Sequence, residues 1–233
     1  MANLLALAAA ASAPAAGDSS ISISARNEHL DILIQSMLPG NDLVGVNAAK
    51  GLFDRVMGTA ASQLLFDYRA DDLFERKAIV VIAKVEERVV GTLHVHMDDK
   101  QQLWVRGAVV DPVYSGRQIA SAMGAMGVVH AGCSGLRFTR ATLAIRILAD
   151  GTMNEPSRVS FARLGFVEGE LGEARIDGSF RNRHLFASCE RDVFGPFTRY
   201  GRMHAGPDVF ARSVRFLEAW RQLRHPDALA TIR

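Results

Sequence analysis

The run from Ala78 to Val110 constrains the fold more than any other part of the chain. Ala78 to Val85 and Val89 to Met97 are dense in β-branched residues and flank Glu86-Glu87-Arg88, while Leu103 to Val110 follows Asp98-Asp99-Lys100. Strand-forming runs joined by short charged turns predict antiparallel neighbours, so this region is expected to form a three-strand meander. Asp111-Pro112 ends the third strand, because proline has no N–H for a sheet ladder. Ser115-Gly116-Arg117 then opens a helix expected to run to about His130, with Gly132 as its stop.

Weaker patterns flank the meander. Ile21-Ser22-Ile23-Ser24 alternates as a strand should, and Leu30, Leu33, Ile34, Met37 and Leu38 fall at helical spacing before Pro39-Gly40. A second helix is expected from about Ala48 to Phe66. Downstream, Arg140 to Leu148 reads as a strand, Asn154 to Leu164 as a helix and Phe166 onward as a strand. Leu185 to Val193 reads as the last core strand, residues 194–206 as a Gly- and Arg-rich loop, and Val209 to Leu223 as an amphipathic helix with Phe210, Val214, Leu217 and Trp220 on one stripe. Strands and helices mixed in this way predict one α/β (α+β) domain without an internal repeat.

Length and charge narrow the classes further. The chain has 233 residues, enough to bury a core without disulfide or metal staples. A net charge of +2 gives no global footprint for nucleic acid. Two cysteines, Cys133 and Cys189, make neither a disulfide framework nor a four-cysteine zinc site, which points to a reducing, cytoplasmic setting. Residues 1–20 hold nine alanines and no Lys or Arg, so they read as a low-complexity leader, not as a secretory signal, and are too short in apolar content to span a membrane. The expected organisation is therefore a leader at 1–20, a core domain at 21–193 and a C-terminal loop and helix at 194–233. The final apolar stripe must be buried, by default on its own domain and otherwise in a homodimer contact.

The stretch that carries chemistry is Val109-Val110-Asp111-Pro112-Val113-Tyr114-Ser115-Gly116-Arg117-Gln118-Ile119-Ala120. A strand breaks at proline and feeds a helix whose first turn is small or polar. The first N–H groups of that helix lack intrahelical partners and, with the helix dipole, make a site suited to phosphate or diphosphate. An ordinary strand-loop-helix junction has the same local form.

The order of elements decides between them. Strand, helices, meander, phosphate-type turn, strand, and then Asn154 before a helix ending in Arg163-Leu164-Gly165-Phe166 resembles the GNAT superfamily of acyl-CoA-dependent N-acyltransferases. The family signature Gln/Arg-x-x-Gly-x-Gly/Ala after a Val-x-Pro strand end meets Ser115-Gly116-Arg117-Gln118-Ile119-Ala120 here. Ala120 and Val110-Asp111-Pro112 fit, and Ser115 and Gln118 depart from the pattern. The resemblance covers roughly residues 21–193. It implies a mostly antiparallel mixed sheet with a V-shaped splay between central strands, flanked by helices. It also implies acetyl-CoA or another acyl-CoA as co-substrate, with backbone groups of Val109 and Val110 along the pantetheine arm and residues Ser115 to Ala120 around the diphosphate. Asn154 and Phe161 fall at the family's remaining cofactor-side positions. The acceptor it implies is a small-molecule or protein amine.

Proton carriers are where the resemblance thins. The family's usual tyrosine position holds Phe161, and residues 101–106, around Trp104, contain no carboxylate for a base. His94 and His96 alternate along one strand and share a face with Thr92, so they are the candidate catalytic bases, with a purely structural histidine pair as the alternative. No third ligand accompanies them, and no metal is expected. His184 and His204, among arginines, are assigned neither role, and Cys189 reads as a core residue. Asp67, Asp71, Asp72 and Glu75 would suit a cationic amine or a solvated face. The small residues Ala122, Gly124, Ala125, Gly127 and Ala131 suggest either close helix packing or room for a longer acyl chain. Three readings result: an acetyltransferase, a non-catalytic acyl-CoA-binding or regulatory module, and a longer-chain N-acyl amino acid synthase. Charge divides along the chain in a way that suits an anionic co-substrate and a cationic amine. Residues 1–99 carry 8 basic and 13 acidic side chains, and residues 100–233 carry 19 and 12.

Overall fold

Continuous burial along the β-branched runs, which are covered on both faces, marks them as the centre of one sheet. The computed structural model describes residues 22–37, 43–57, 79–97, 101–146, 152–175 and 197–224. Its strands are β1 (Ile23–Asn27), β2 (Ile32–Met37), β3 (Ile79–Val85), β4 (Arg88–Met97), β5 (Gln102–Val110), β6 (Arg140–Arg146), β7 (Val167–Arg175) and β8 (Phe197–Ala205). Its helices are α1 (Leu43–Met57), α2 (Ile119–Cys133), α3 (Glu155–Ala162) and α4 (Val209–Arg221). The eight strands form one sheet in the order β1-β2-β3-β4-β5-β6-β8-β7. Every neighbouring pair is antiparallel except β5 and β6. The meander expected from Ala78 to Val110 is present as β3, β4 and β5.

Two expectations are corrected. The helix read at Leu30 to Leu38 is strand β2, paired with β1 and β3. Ile32, Ile34 and Ser36 are fully buried while Leu33 and Gln35 are half-buried, a period of two that the helical spacing of Leu30, Leu33, Ile34 and Met37 had masked. Two open sheet edges supplied hydrogen bonds that a lone helix would have made internally. The loop read at 194–206 contains β8, which lies between β6 and β7. Its glycine at 201 is not a turn signal: a Cβ there would meet the Met153 side chain at 2.5 Å. The remainder of the helix expected to Phe66, the strand expected at Leu185 to Val193, Cys189, His184 and the acidic cluster Asp67 to Glu75 lie outside the described residues.

The sheet has two unequal faces. Ile34, Val81, Leu93, Val95, Leu103, Val105, Leu143 and Met203 face α2, with Phe161 of α3, Leu164 in the turn after it, and Leu217 and Trp220 of α4 in the same core. A smaller cluster of Met37, Val80, Ile82, Val89 and Val109 on the other face lies beneath Ala49 and Leu52 of α1. Because α2 is covered on nearly all sides, its residues from Ser121 to Ala131 are all buried. Its glycines serve packing. A Cβ on Gly127 would reach Val95 Cγ2 at 2.5 Å, one on Gly124 would reach Phe161 Cε1 at 2.7 Å, and one on Gly132 would strike the Phe210 ring. That space is filled by protein, so these glycines do not provide room for a longer acyl chain. The helix also runs past Gly132 to Cys133, with the left-handed residue supplied by Gly135 at φ 73°. The apolar stripe of α4 packs on its own domain: Val209, Leu217 and Trp220 are buried against the α2 side. Among the described residues no helix is long and apolar enough to cross a membrane.

Candidate active site

The site is built where β5 parts from β6. Residues Gln102 to Val105 of β5 pair in parallel with Arg140 to Leu143 of β6, and no pairs follow. The cause lies on the other edge of β5. Thr92 pairs with Val109 and His94 with Arg106, so Leu93 alone stands opposite Gly107 and Ala108. A bulge of this kind bends the strand that carries the extra residue. Residues 106–110 therefore turn from β6 while staying attached to β4, and their backbone on the β6 side forms one wall of a wedge. Val109 is buried and Val110 half-buried along that wall. This is the splay between central strands expected from the family resemblance.

The strand then ends in a shaped loop. Asp111 has its N–H bonded to the Val90 carbonyl at 2.8 Å, and its side chain accepts the Val113 N–H at 3.2 Å. Its carboxylate also accepts from Arg88 at 2.7 Å, with Arg55 at 3.9 Å. Asp111 is the one acidic residue between Val109 and Ala120, and two guanidinium groups offset it. Pro112 to Tyr114 form a single 3-10 turn, a detail the sequence reading placed as plain loop. Gly116 follows at φ 79° and Gln118 at φ 59°, both left-handed. For Gln118 that conformation carries a steric cost that the surrounding packing must offset.

Helix α2 starts at Ile119, two residues after the expected opening at Ser115 to Arg117. Its first bond runs from Ala122 N–H to the Gln118 carbonyl at 3.0 Å, leaving the N–H groups of Ile119, Ala120 and Ser121 without helical partners. Ser115 and Gly116 are exposed, Arg117 and Ala120 half-buried, and Gln118 and Ile119 buried. The Arg117 guanidinium lies 5.0 Å from the Tyr114 ring centroid, which holds its charge beside the helix start. Successive N–H groups, a helix N-terminus and a fixed cation together suit an anion.

Helix α3 closes the far side. Asn154 occupies the cap of α3 without a side-chain capping bond, and the Ser121 hydroxyl of α2 donates to the Ser160 carbonyl of α3 at 2.8 Å. Phe161 is 2% exposed, sits against Gly124 and meets Phe166 edge-on at 5.8 Å. Its ring is a packing element between α2 and α3.

The histidine pair lies on the α1 face of the sheet beside the wedge. Thr92 and His94 are buried and His96 is half-buried. His94 stands opposite Arg106, and His96 opposite Trp104. The structure extends this into a row that crosses the splayed pair: Trp104 stands opposite Thr142 on β6, and Thr142 opposite His204 on β8. The Thr142 hydroxyl and His204 Nδ1 are 3.3 Å apart. Sequence reasoning missed this row: Thr142 lies in the strand expected at Arg140 to Leu148, but nothing local names its neighbours, and His204 falls in the stretch expected as loop. The alternation Arg202, Met203, His204, Ala205 was the available signal. Among the described residues no three His, Cys, Asp or Glu side chains converge as a metal site would require.

An antiparallel sheet opened at its one parallel pair, with an anion-ready loop at the mouth, defines the class of acyltransferases built on a splayed mixed sheet. The chain belongs to the acetyltransferase (GNAT) family, whose sequence model matches residues 48–166, from α1 to the turn after α3. Among solved structures it is similar in fold to RimJ of Mycobacterium smegmatis in complex with CoA-disulfide. That likeness has a TM-score of 0.55 at 16% identity, covering 86% of this chain and 94% of that one. It is also similar to an acetyltransferase of the GNAT family from Streptococcus pneumoniae, with a TM-score of 0.50 at 16% identity over 75% of this chain and 99% of the other. No curated protein sequence matches the chain.

Proposed function

We propose that the protein transfers an acetyl group from acetyl-CoA to a primary amine. The observation that carries this reading is the wedge between β5 and β6, which opens beside the loop at Gly116 to Ala120. An extended pantetheine arm suits the backbone of Val109 and Val110 as an added strand would. The diphosphate suits the N–H groups of Gly116, Ile119 and Ala120, with Arg117 supplying charge. A neutral amine attacks the thioester carbon, a C–N bond forms, the C–S bond breaks, and the amine gives up one proton while the thiolate gains one. A backbone N–H near Val110 stabilises the charge on the carbonyl oxygen. His94 or His96, on the face beside the wedge, accepts the amine's proton.

The test is release of free CoA thiol from acetyl-CoA across a panel of primary amines, with acetyl-CoA binding measured in parallel. Turnover on an amine supports the reading, and absence of acetyl-CoA binding overturns it. Phe161 favours a second reading, a non-catalytic acyl-CoA-binding module, because its buried ring offers no hydroxyl to the departing thiolate. Binding without turnover on any acceptor would decide for that module.

A further inference from the structure

We infer that Trp220, in the C-terminal helix outside residues 48–166, is a positioning residue for the co-substrate loop. The proposal rests on the acyl-CoA reading above and adds to it the group that holds the loop in its binding shape.

Trp220 is fully buried on α4. A buried indole N–H needs a partner, and here it donates to the backbone carbonyl of Arg117 at 3.4 Å, across 103 residues of sequence. That carbonyl belongs to the peptide unit joining Arg117 to Gln118. The unit is planar and trans, so fixing its oxygen fixes the direction of the whole plane. Gln118 immediately after it holds the left-handed conformation at φ 59° and caps α2. A rotation of this plane would take Gln118 out of that conformation and re-aim the Ile119 and Ala120 N–H groups that open the helix. It would also swing the Arg117 side chain away from Tyr114.

The anchor is itself fixed. Asn27, fully buried at the end of β1, donates from Nδ2 to the carbonyls of Trp220 at 2.5 Å and Leu223 at 3.1 Å. Its Oδ1 accepts the N–H groups of His29 and Leu30 at 3.0 and 2.9 Å. One continuous set of bonds therefore runs from the β1–β2 turn through the end of α4 to the loop at Arg117. Gln118 is not a residue that favours φ > 0, and this support from behind explains how the loop keeps it there.

The test compares wild type with Trp220→Phe, which keeps an aromatic ring and removes the donor. A second variant carries benzothienylalanine at position 220, which replaces only the N–H by sulfur and keeps the ring size. Each is assayed for CoA affinity by calorimetry, and for KM and kcat with acetyl-CoA and with acetyl-pantetheine, which lacks the diphosphate. The expected result is a Kd for CoA and a KM for acetyl-CoA raised about fivefold to tenfold in both variants. The kcat and the KM for acetyl-pantetheine should stay within about twofold of wild type. Unchanged CoA affinity in the benzothienylalanine variant would overturn the proposal, as would equal losses with both acyl donors. If wild type itself binds no CoA, the acyl-CoA reading falls and this proposal with it. Binding by wild type that both variants retain overturns the proposal alone.

Discussion

His130 sets a pH dependence of stability that can be worked out from its surroundings. It lies on α2, fully buried, with Nδ1 2.7 Å from the Ser36 hydroxyl of β2. Burial pushes its pKa down from 6.5 to about 4, against a smaller opposing effect of the Ser36 contact. A histidine with a depressed pKa is neutral when folded, so below pH 6.5 the unfolded chain takes up a proton that the native state refuses. Stability contributed by the neutral form is whole above pH 6.5, falls between pH 6.5 and 4, and declines no further below that. The loss amounts to about 1.4 kcal/mol by pH 5.5 and about 2.5 kcal/mol by pH 4.5. With a urea m-value of about 2 kcal/mol/M, the first figure is a midpoint shift of about 0.7 M.

Other groups titrate over the same range, so the measurement is a difference. His130→Asn places an amide near the position of Nδ1, keeps a partner for Ser36 and removes the titration. Urea unfolding of both proteins by circular dichroism at pH 7.5, 6.5, 5.5 and 4.5 gives the two slopes. The variant should be the less stable at pH 7.5, from the volume lost in a packed core, and should close that gap as pH falls. Parallel stability curves for the two proteins from pH 7.5 to 4.5 would refute the assignment of a buried neutral His130.

Three further outcomes are expected. Arg117→Glu puts negative charge beside the helix start and should weaken CoA binding at least tenfold in low salt; calorimetry showing unchanged affinity would remove the loop as the phosphate site. His94→Ala and His96→Ala should lower kcat about tenfold to a hundredfold for whichever residue takes the amine's proton, with CoA affinity changed much less, and should flatten the acidic limb of the pH–rate profile. A profile identical to wild type in both variants would assign the pair a structural role. Asn27→Ala removes the side-chain partner of the Leu223 carbonyl and of the His29 and Leu30 N–H groups, while the Trp220 carbonyl keeps the Leu223 N–H, and should cost about 2 kcal/mol in urea unfolding. A loss below about 0.5 kcal/mol would mean that water or backbone relaxation replaces those bonds.

The parts of this fold that could be read from the chain are those whose signals lie within a few residues of one another. The meander of β3 to β5 rests on β-branched runs and charged turns, and α4 on a stripe at helical spacing. The break at Asp111-Pro112 and the left-handed Gly116 announce the loop locally. Strand β2 was misread because its apolar residues satisfy both periods, and only pairing with β1 and β3 chooses between them. The histidine pair could be placed on a common face beside the next strand of the meander, but not in one row with Thr142 and His204, since β6 and β8 come from distant parts of the chain.

Sequence by itself determined the mixed α/β class, the meander, the strand break and turn at Asp111 to Arg117 and the family pattern around them, because backbone preference and turn chemistry act over short separations. Tertiary structure decided where β2 and β8 sit, that the α2 glycines are filled by Val95, Phe161 and Phe210, and that the loop at Arg117 is backed by Trp220. Each of these depends on contacts between residues far apart in the chain. A local pattern can state that a residue is apolar or polar, but which partner it meets is chosen by the packing of the whole sheet.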